Sequence, residues 1–152
     1  MVFESLKIGI IVGLEREKKL IPKNSNIIVE KGYGKKAHKI AKKMVKKNID
    51  ILVSFGLAKS IDANINNAEI LIPQMTFDKK GRGLFTSKEF NTYFAEKIPF
   101  RTTSKNILTV SKVLNKKKIL TGENIGAVDM ESNYIHKVAK ENKIKADKIK
   151  FI

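Results

Sequence analysis

Cysteine is absent from the 152-residue chain, which excludes disulfides, thiolate nucleophiles and cysteine zinc sites. Histidine is almost as scarce. His38 and His136 stand alone in the sequence, offer no histidine-based metal site, and fall on the polar faces of expected helices. Long apolar runs are missing too. The first, Ile8 to Leu14, is broken by Glu15 and is too short for a signal-peptide core with its cleavage site. None approaches the ~20 apolar residues of a membrane span, so a cytoplasmic protein is expected. Arginine is rare despite a net charge of +16: only Arg16, Arg82 and Arg101 stand among 31 basic residues. Bidentate recognition of phosphates and bases favours arginine, and the lysines are spread over nearly every expected element. Lys35, Lys36, Lys39, Lys42, Lys43, Lys46 and Lys47 line the polar face of a single helix. The charge therefore reads as solvated faces rather than a nucleic-acid surface. With three prolines and nine glycines, no Pro/Gly/Ser linker divides the chain, and residues 1–152 are expected to form one domain.

What is present alternates in a βαβ rhythm. Residues 5–12 carry β-branched Ile8, Ile10 and Ile11 and read as a buried strand. A turn and a short helical start follow over Gly13-Leu14-Glu15-Arg16-Glu17. Residues 26–30 form a second expected strand, closed by Gly32-Tyr33-Gly34. A helix comes next, with Ala37, Ile40, Ala41, Met44 and Val45 on one face. Residues 50–54 make a third strand, ending in a Phe55-Gly56-Leu57-Ala58 loop. Further strands are expected over 68–73, 106–109 and 125–128, a hairpin turn or loop over 78–83, and helices over 87–97, 112–120 and 130–142. The helix over 87–97 would hold Phe90 and Phe94 inward, and 121–124 would break the one before it. A last strand would open at Lys148 and be cut off at Ile152, with Asp147 lying ahead of it. This order implies a three-layer α/β domain with a central, mainly parallel sheet. Strands 5–12, 50–54 and 125–128 are expected side by side in it, their carboxyl ends on one rim.

Such rims are where α/β sheets bind ligands, and two carboxylates stand there in Val128-Asp129-Met130-Glu131-Ser132. Helix capping accounts for Asp129, and a favourable first-turn position for Glu131. Read alone, the segment favours capping over chemistry.

Three segments in order change that weighting: Ile8-Gly9-Ile10-Ile11-Val12-Gly13-Leu14-Glu15-Arg16-Glu17, then Gly32-Tyr33-Gly34-Lys35 with Ser54-Phe55-Gly56-Leu57-Ala58, then Val128-Asp129-Met130-Glu131-Ser132. Together they resemble the nucleoside phosphorylase and nucleosidase superfamily over residues 7–144. The Ser-Phe-Gly-Leu-Ala and Val-Asp-Met-Glu-Ser wording is most similar to its hopanoid-associated phosphorylase branch. The resemblance implies a phosphorylase/hydrolase-like fold and cleavage of a nucleoside's N-glycosidic bond through an oxocarbenium-like transition state. It makes Glu17 the residue that positions the attacking water, Glu131 the acceptor of ribose hydroxyls, and Met130 a surface packed on the sugar. Gly56, Leu57 and Ala58 would bring backbone to the sugar and nucleophile; Gly13 and Lys59 stand where a phosphate or nucleophile loop is expected, Lys59 either attracting phosphate or blocking the site. It implies no metal and no cofactor beyond phosphate as an alternative nucleophile, a small nucleoside as ligand, and a homodimer covering the open sheet edge. Two departures stand out. The family's glycine pair after Ala58 is Lys59-Ser60 here. Its catalytic aspartate lies beyond the strand that this chain, shortened at the C-terminus, would only begin. The readings left open are adenine release from a 5′-substituted adenosine by water or phosphate, a catalytically weak or inactive nucleoside-binding homologue, and a basic RNA-binding α/β protein.

Overall fold

A computed structural model describes residues 5–66, 69–111 and 124–152. Among them are two mixed sheets and four helices, the α/β architecture the sequence implies. Strand β1 (Ile8–Val12) lies between β2 (Ile27–Lys31) and β3 (Ile51–Leu57), parallel to both. On the far side β3 pairs in parallel with β11 (Lys145–Phe151) along the whole of both strands, from Lys145↔Ile51 to Phe151↔Leu57. The last strand thus starts three residues ahead of the expected Lys148, and Asp147 sits inside it, fully buried. Short β5 (Ile70–Leu71) and β8 (Thr102–Thr103) complete the first sheet, in the order β2-β1-β3-β11-β5-β8.

Side-chain alternation splits this sheet into two packed faces. Ile11, Leu52 and Ala146 meet Ala37, Ala41 and Met44 of α2 (Lys35–Val45) and Ile135, Val138 and Ala139 of α4 (Ser132–Glu141). On the opposite face Ile8, Ile10, Ile51 and Val53 pack against Phe90 and Phe94 of α3 (Lys88–Lys97), the two aromatics expected inward.

The 125–128 strand is a correction. Strand β10 (Ile125–Asp129) belongs not to the first sheet but to a second, ordered β4 (Lys59–Ser60), β10, β9 (Asn106–Thr109), β6 (Met75–Phe77), β7 (Gly83–Phe85). Its neighbours are β4 (Lys59–Ser60), antiparallel, and β9 (Asn106–Thr109), parallel. β6 (Met75–Phe77) and β7 (Gly83–Phe85) form the hairpin expected around 78–83, with Asp78 accepting the Lys80 and Arg82 N–H groups in the turn. The chain crosses between sheets where β3 ends. Phe55-Gly56-Leu57 is therefore strand rather than loop, held by β11 and by an edge-on Phe55–Phe151 contact, with ring centroids 5.1 Å apart. Only Ala58 separates it from β4. The helix expected over 112–120 and most of the break after it lie outside the described residues. No described helix is long and apolar enough to cross a membrane.

Candidate active site

Glu17 lies in α1 (Glu15–Lys18), one turn after β1, and is buried. Its carboxylate turns back as the acid of a capping box does. Oε2 accepts the Gly13 N–H (2.9 Å) and the Leu14 N–H (2.8 Å), and Oε1 accepts the Leu57 N–H (2.8 Å). One side chain so ties the β1 turn to the crossover between sheets. Gly56 makes this possible. Its φ is +141°, and a Cβ there would lie 2.6 Å from the Glu17 carboxyl.

From the second sheet, Val128-Asp129-Met130-Glu131 turns into α4 opposite Glu17. Gly34, at φ +56° before α2, donates its N–H to the Met130 carbonyl at 2.8 Å and pins that turn. α4 starts at Ser132, two residues later than expected, because Asp129 accepts the Ser132 N–H at 3.2–3.3 Å. Asp129 also accepts from Thr109 Oγ1 (2.8 Å) and from the Ser132 hydroxyl, and it faces Lys150 Nζ at 3.1 Å. The N-cap of α4 is Glu131 rather than Asp129, and no acid stands in its first turn; Asp129 meets the first helical N–H from outside the helix, with its oxygens fully engaged. Glu131 is buried as well. Oε1 meets Lys150 Nζ at 2.6 Å and Oε2 accepts the Met130 N–H at 3.2 Å. Burial raises the Glu131 carboxyl above the usual carboxylate range, with the Lys150 ammonium pulling the other way. Lys150 has no exposed surface, yet the two carboxylates hold its pKa above the ordinary lysine value against that burial.

These residues enclose one cleft of about 520 Å³, lined by Gly13, Leu14, Glu17, Tyr33, Leu57, Ala58, Lys59, Val110, Val128, Asp129, Met130 and Glu131. Glu17, Leu57, Ala58, Met130, Glu131, Gly13 and Lys59 thus stand together at one cleft. Gly56 does not line the cleft; it lies beneath Glu17. A Cβ on Gly13 would sit 3.6 Å from Glu17 and 3.8 Å from Glu131, so both carboxyl groups flank one point. Gly13 spends its N–H on Glu17, which leaves Lys59, exposed on β4, as the cation at the cleft wall.

Sequence reasoning missed Lys148 and Lys150, read as part of a solvated lysine excess; both are wholly buried. It also misplaced His136, which is buried against β11 with Nδ1 hydrogen-bonded to Lys148 Nζ. Burial first, and the Lys148 cation second, push the His136 pKa down to about 2. The available signal was Ala146, Lys148 and Lys150 at alternate positions of one strand, which puts two charges on the face that Ala146 buries. No cluster of three or more acids and histidines placed to hold a metal ion occurs among the described residues.

A carboxylate-flanked cleft between two mixed sheets is the setting, and the fold is that of the nucleosidases. Futalosine hydrolase of Helicobacter pylori superposes with a TM-score of 0.84 at 16% identity, over 97% of this chain and 87% of that one. The 5′-methylthioadenosine/S-adenosylhomocysteine nucleosidase of Campylobacter jejuni gives 0.82 at 14%, over 97% and 85%. The S-adenosylhomocysteine nucleosidase of Streptococcus pyogenes, in complex with 5-methylthiotubericidin, gives 0.81 at 14%, over 98% and 84%. No family model and no curated protein matches the sequence itself.

Proposed function

We propose that this protein binds a 5′-substituted adenosine in the Glu17–Glu131 cleft and cleaves its N-glycosidic bond slowly, releasing adenine. The observation that carries the reading is the convergence of Glu17, Leu57, Ala58, Met130 and Glu131 from three separated segments on one cleft. A carboxylate offers about four lone-pair sites. Three of those on Glu17 take backbone N–H groups, and the fourth, on Oε1, is left for an attacking water. Glu131 keeps one site on each oxygen after Lys150 and the Met130 N–H, enough for two ribose hydroxyls. Such bonds strengthen as positive charge develops on the sugar ring, and Met130 would pack on its face. The reading needs no cofactor. Water is the nucleophile it favours, and phosphate drawn by Lys59 is the alternative. The motif wording supports the hopanoid-associated branch of the superfamily. A homodimer closing the cleft mouth fits the exposed Leu14, Tyr33 and Leu57 around it.

Turnover is proposed to be slow because adenine leaves poorly unless a ring nitrogen is protonated. Among the described residues lining the cleft, the carboxylates are Glu17, Asp129 and Glu131, and Asp129 has no free lone pair to serve. Losing a general acid costs about 10²–10⁴ in rate. That saturation also favours the second reading, a nucleoside-binding homologue without turnover. Chromatography of free adenine from methylthioadenosine, with and without phosphate, separates the two once binding is established by a thermal-shift assay. Absence of any ligand-induced shift would sink both.

A further inference from the structure

Among the described residues β2 closes one side of the six-stranded sheet, with β1 as its strand neighbour. Two bonds fix which of its backbone groups face inward. The Ile8 N–H reaches the Asn26 carbonyl and the Gly32 N–H reaches the Val12 carbonyl, each at 2.8 Å. Backbone groups alternate sides along a strand, so Ile28 and Glu30 turn theirs to β1 as well. Val29 and Lys31 therefore point N–H and C=O outward. Ile27 spends its N–H on the Asn24 carbonyl at 3.1 Å and offers its own carbonyl alone. An open edge of this kind is a template for another strand.

The surroundings select which strand fits. A groove of about 670 Å³ runs between β2 and the turn after α1. Half-buried Ile27 and Val29 line it with Ile21, and Lys18, Lys19 and Lys23 stand along it. On the other face of the edge, the Lys36 stem of α2 passes Gly32, where a Cβ would lie 3.3 Å from Lys36 Cγ. An added strand would thus meet lysine on both of its faces. The acids of this edge are Glu15 and Glu30, and Glu15 pairs with Lys31 at 3.6 Å. Among the described residues no ion pair engages Lys18, Lys19, Lys23 or Lys36. A second copy of this chain would bring the same lysines to the edge, and like charges facing each other across strands are destabilising.

We propose that the outer edge of β2 is a docking site for an extended acidic segment of a partner protein, which adds to the sheet as a further strand. Its backbone pairs with Ile27, Val29 and Lys31, which gives affinity without regard to sequence. Its central apolar side chains enter the groove over Ile27 and Val29. Its flanking carboxylates meet Lys18, Lys19 and Lys23 on one face and Lys36 on the other, which selects acidic partners over neutral or basic ones. The surface shares no lining residue with the Glu17–Glu131 cleft, so the proposal stands apart from the nucleoside reading.

The test is an NMR titration of the full chain with the peptide Glu-Glu-Val-Thr-Val-Glu-Glu. At saturation amide exchange at Val29 and Lys31 should slow by about fivefold or more, since a new hydrogen bond must open first. Ile28 and Glu30, already bonded to β1, should be unchanged. Two control peptides should not bind: Glu-Glu-Pro-Pro-Pro-Glu-Glu, of equal charge but without central N–H groups, and Lys-Lys-Val-Thr-Val-Lys-Lys, of opposite charge. V29P removes one outward N–H from an edge strand, where proline is tolerated, and should weaken the acidic peptide by about fivefold. Equal binding of the proline peptide would mean that charge alone holds it, and equal binding of the lysine peptide that apolar contact does. Either overturns the proposal. So does exchange at Val29 and Lys31 that the acidic peptide leaves unmoved, or a dimer of the free protein paired through β2. If V29P does not fold, the exchange rates of the wild-type protein decide.

Discussion

Glu17 joins three backbone N–H groups from two segments forty residues apart, so its first effect is on stability. Truncating it orphans three part-buried donors, each at less than the about 1–3 kcal/mol of a fully buried one. E17A should therefore lose about 1–3 kcal/mol in denaturant unfolding, and E17Q, which retains one acceptor oxygen, should lose less. E131Q, which as a first-turn acid would scarcely affect stability, instead removes one of two counter-charges from a buried lysine. A loss approaching about 3 kcal/mol is expected, together with a diminished thermal shift from adenosine analogues. Lys148 gives a pH signature of definite sign. Its folded pKa lies near 7 and its ordinary value at 10.5, so between these the unfolded chain binds a proton that the folded one does not. Stability from this group rises with pH across that window, by at most about 1.4 kcal/mol per pH unit. Asp147, raised by burial from 3.8 to about 7, works on the acid limb, where stability falls as pH climbs toward neutrality. Melting wild type and K148M at pH 7.5 and 9.5 checks the first limb: wild type should gain on the variant at the higher pH. Glu17, Met130 and Glu131 could be singled out from the sequence because the motifs they stand in resemble those of a known superfamily, and the structure brings the three to one cleft. Lys148, Lys150 and His136 could not be. Their types are ordinarily exposed, and only the central position of β11 makes them buried.

At the level of elements, the crossover from β3 into β4 decides where the cleft lies. β3 runs on to Leu57 in register with β11, Ala58 breaks it, and Lys59–Ser60 pairs with β10 in the other sheet. A small apolar run reveals a buried strand but not which sheet receives it, and for that reason β10, buried along its whole length, could be foreseen as a strand and still be assigned to the wrong partner. The βαβ order of β1, β2, α2 and β3 was readable because the turns carry glycine and the helix carries a clear apolar stripe. Gly56 is the hinge of the crossover. G56A would force a Cβ to within 2.6 Å of the Glu17 carboxyl at a φ of +141°, strained in both respects. A loss of about 1–3 kcal/mol is expected from denaturant midpoints, with the nucleoside-induced shift abolished as Glu17 is displaced. G34A is the comparison, since at φ +56° it meets open space. With ψ at −136° an alanine is still strained there, at about 1–3 kcal/mol, but the cleft and its nucleoside-induced shift should stay intact.

Over the whole molecule the excess of 31 basic over 15 acidic residues dominates long-range electrostatics. The described ion pairs answer only part of it. Lys31–Glu15 and Lys145–Glu89 lie at the surface at 3.6 and 2.7 Å, and pairs of that kind contribute little, while exposed Arg101 reaches the buried Glu69 at 3.5 Å. From Lys31 to Ile49 there is no acid at all, and α2 with its C-terminal turn repeats lysine at four-residue spacing: Lys35 and Lys39, Lys39 and Lys43, Lys42 and Lys46, Lys43 and Lys47. Like charges so spaced on a helix destabilise it by about 0.2–0.5 kcal/mol per pair. The folded state holds these charges closer together than the unfolded chain does, so screening them favours folding. The melting temperature should therefore rise between about 10 mM and about 0.5 M sodium chloride, over which the screening length falls from roughly 30 Å to a few ångströms. K39E reverses the sign of the exposed residue common to two of those pairs. It should raise stability by about 0.5–1 kcal/mol in low salt and give no advantage in high salt. A melting temperature that falls with salt, or a K39E gain that survives 0.5 M sodium chloride, would mean that local packing on α2, rather than charge repulsion, governs the effect.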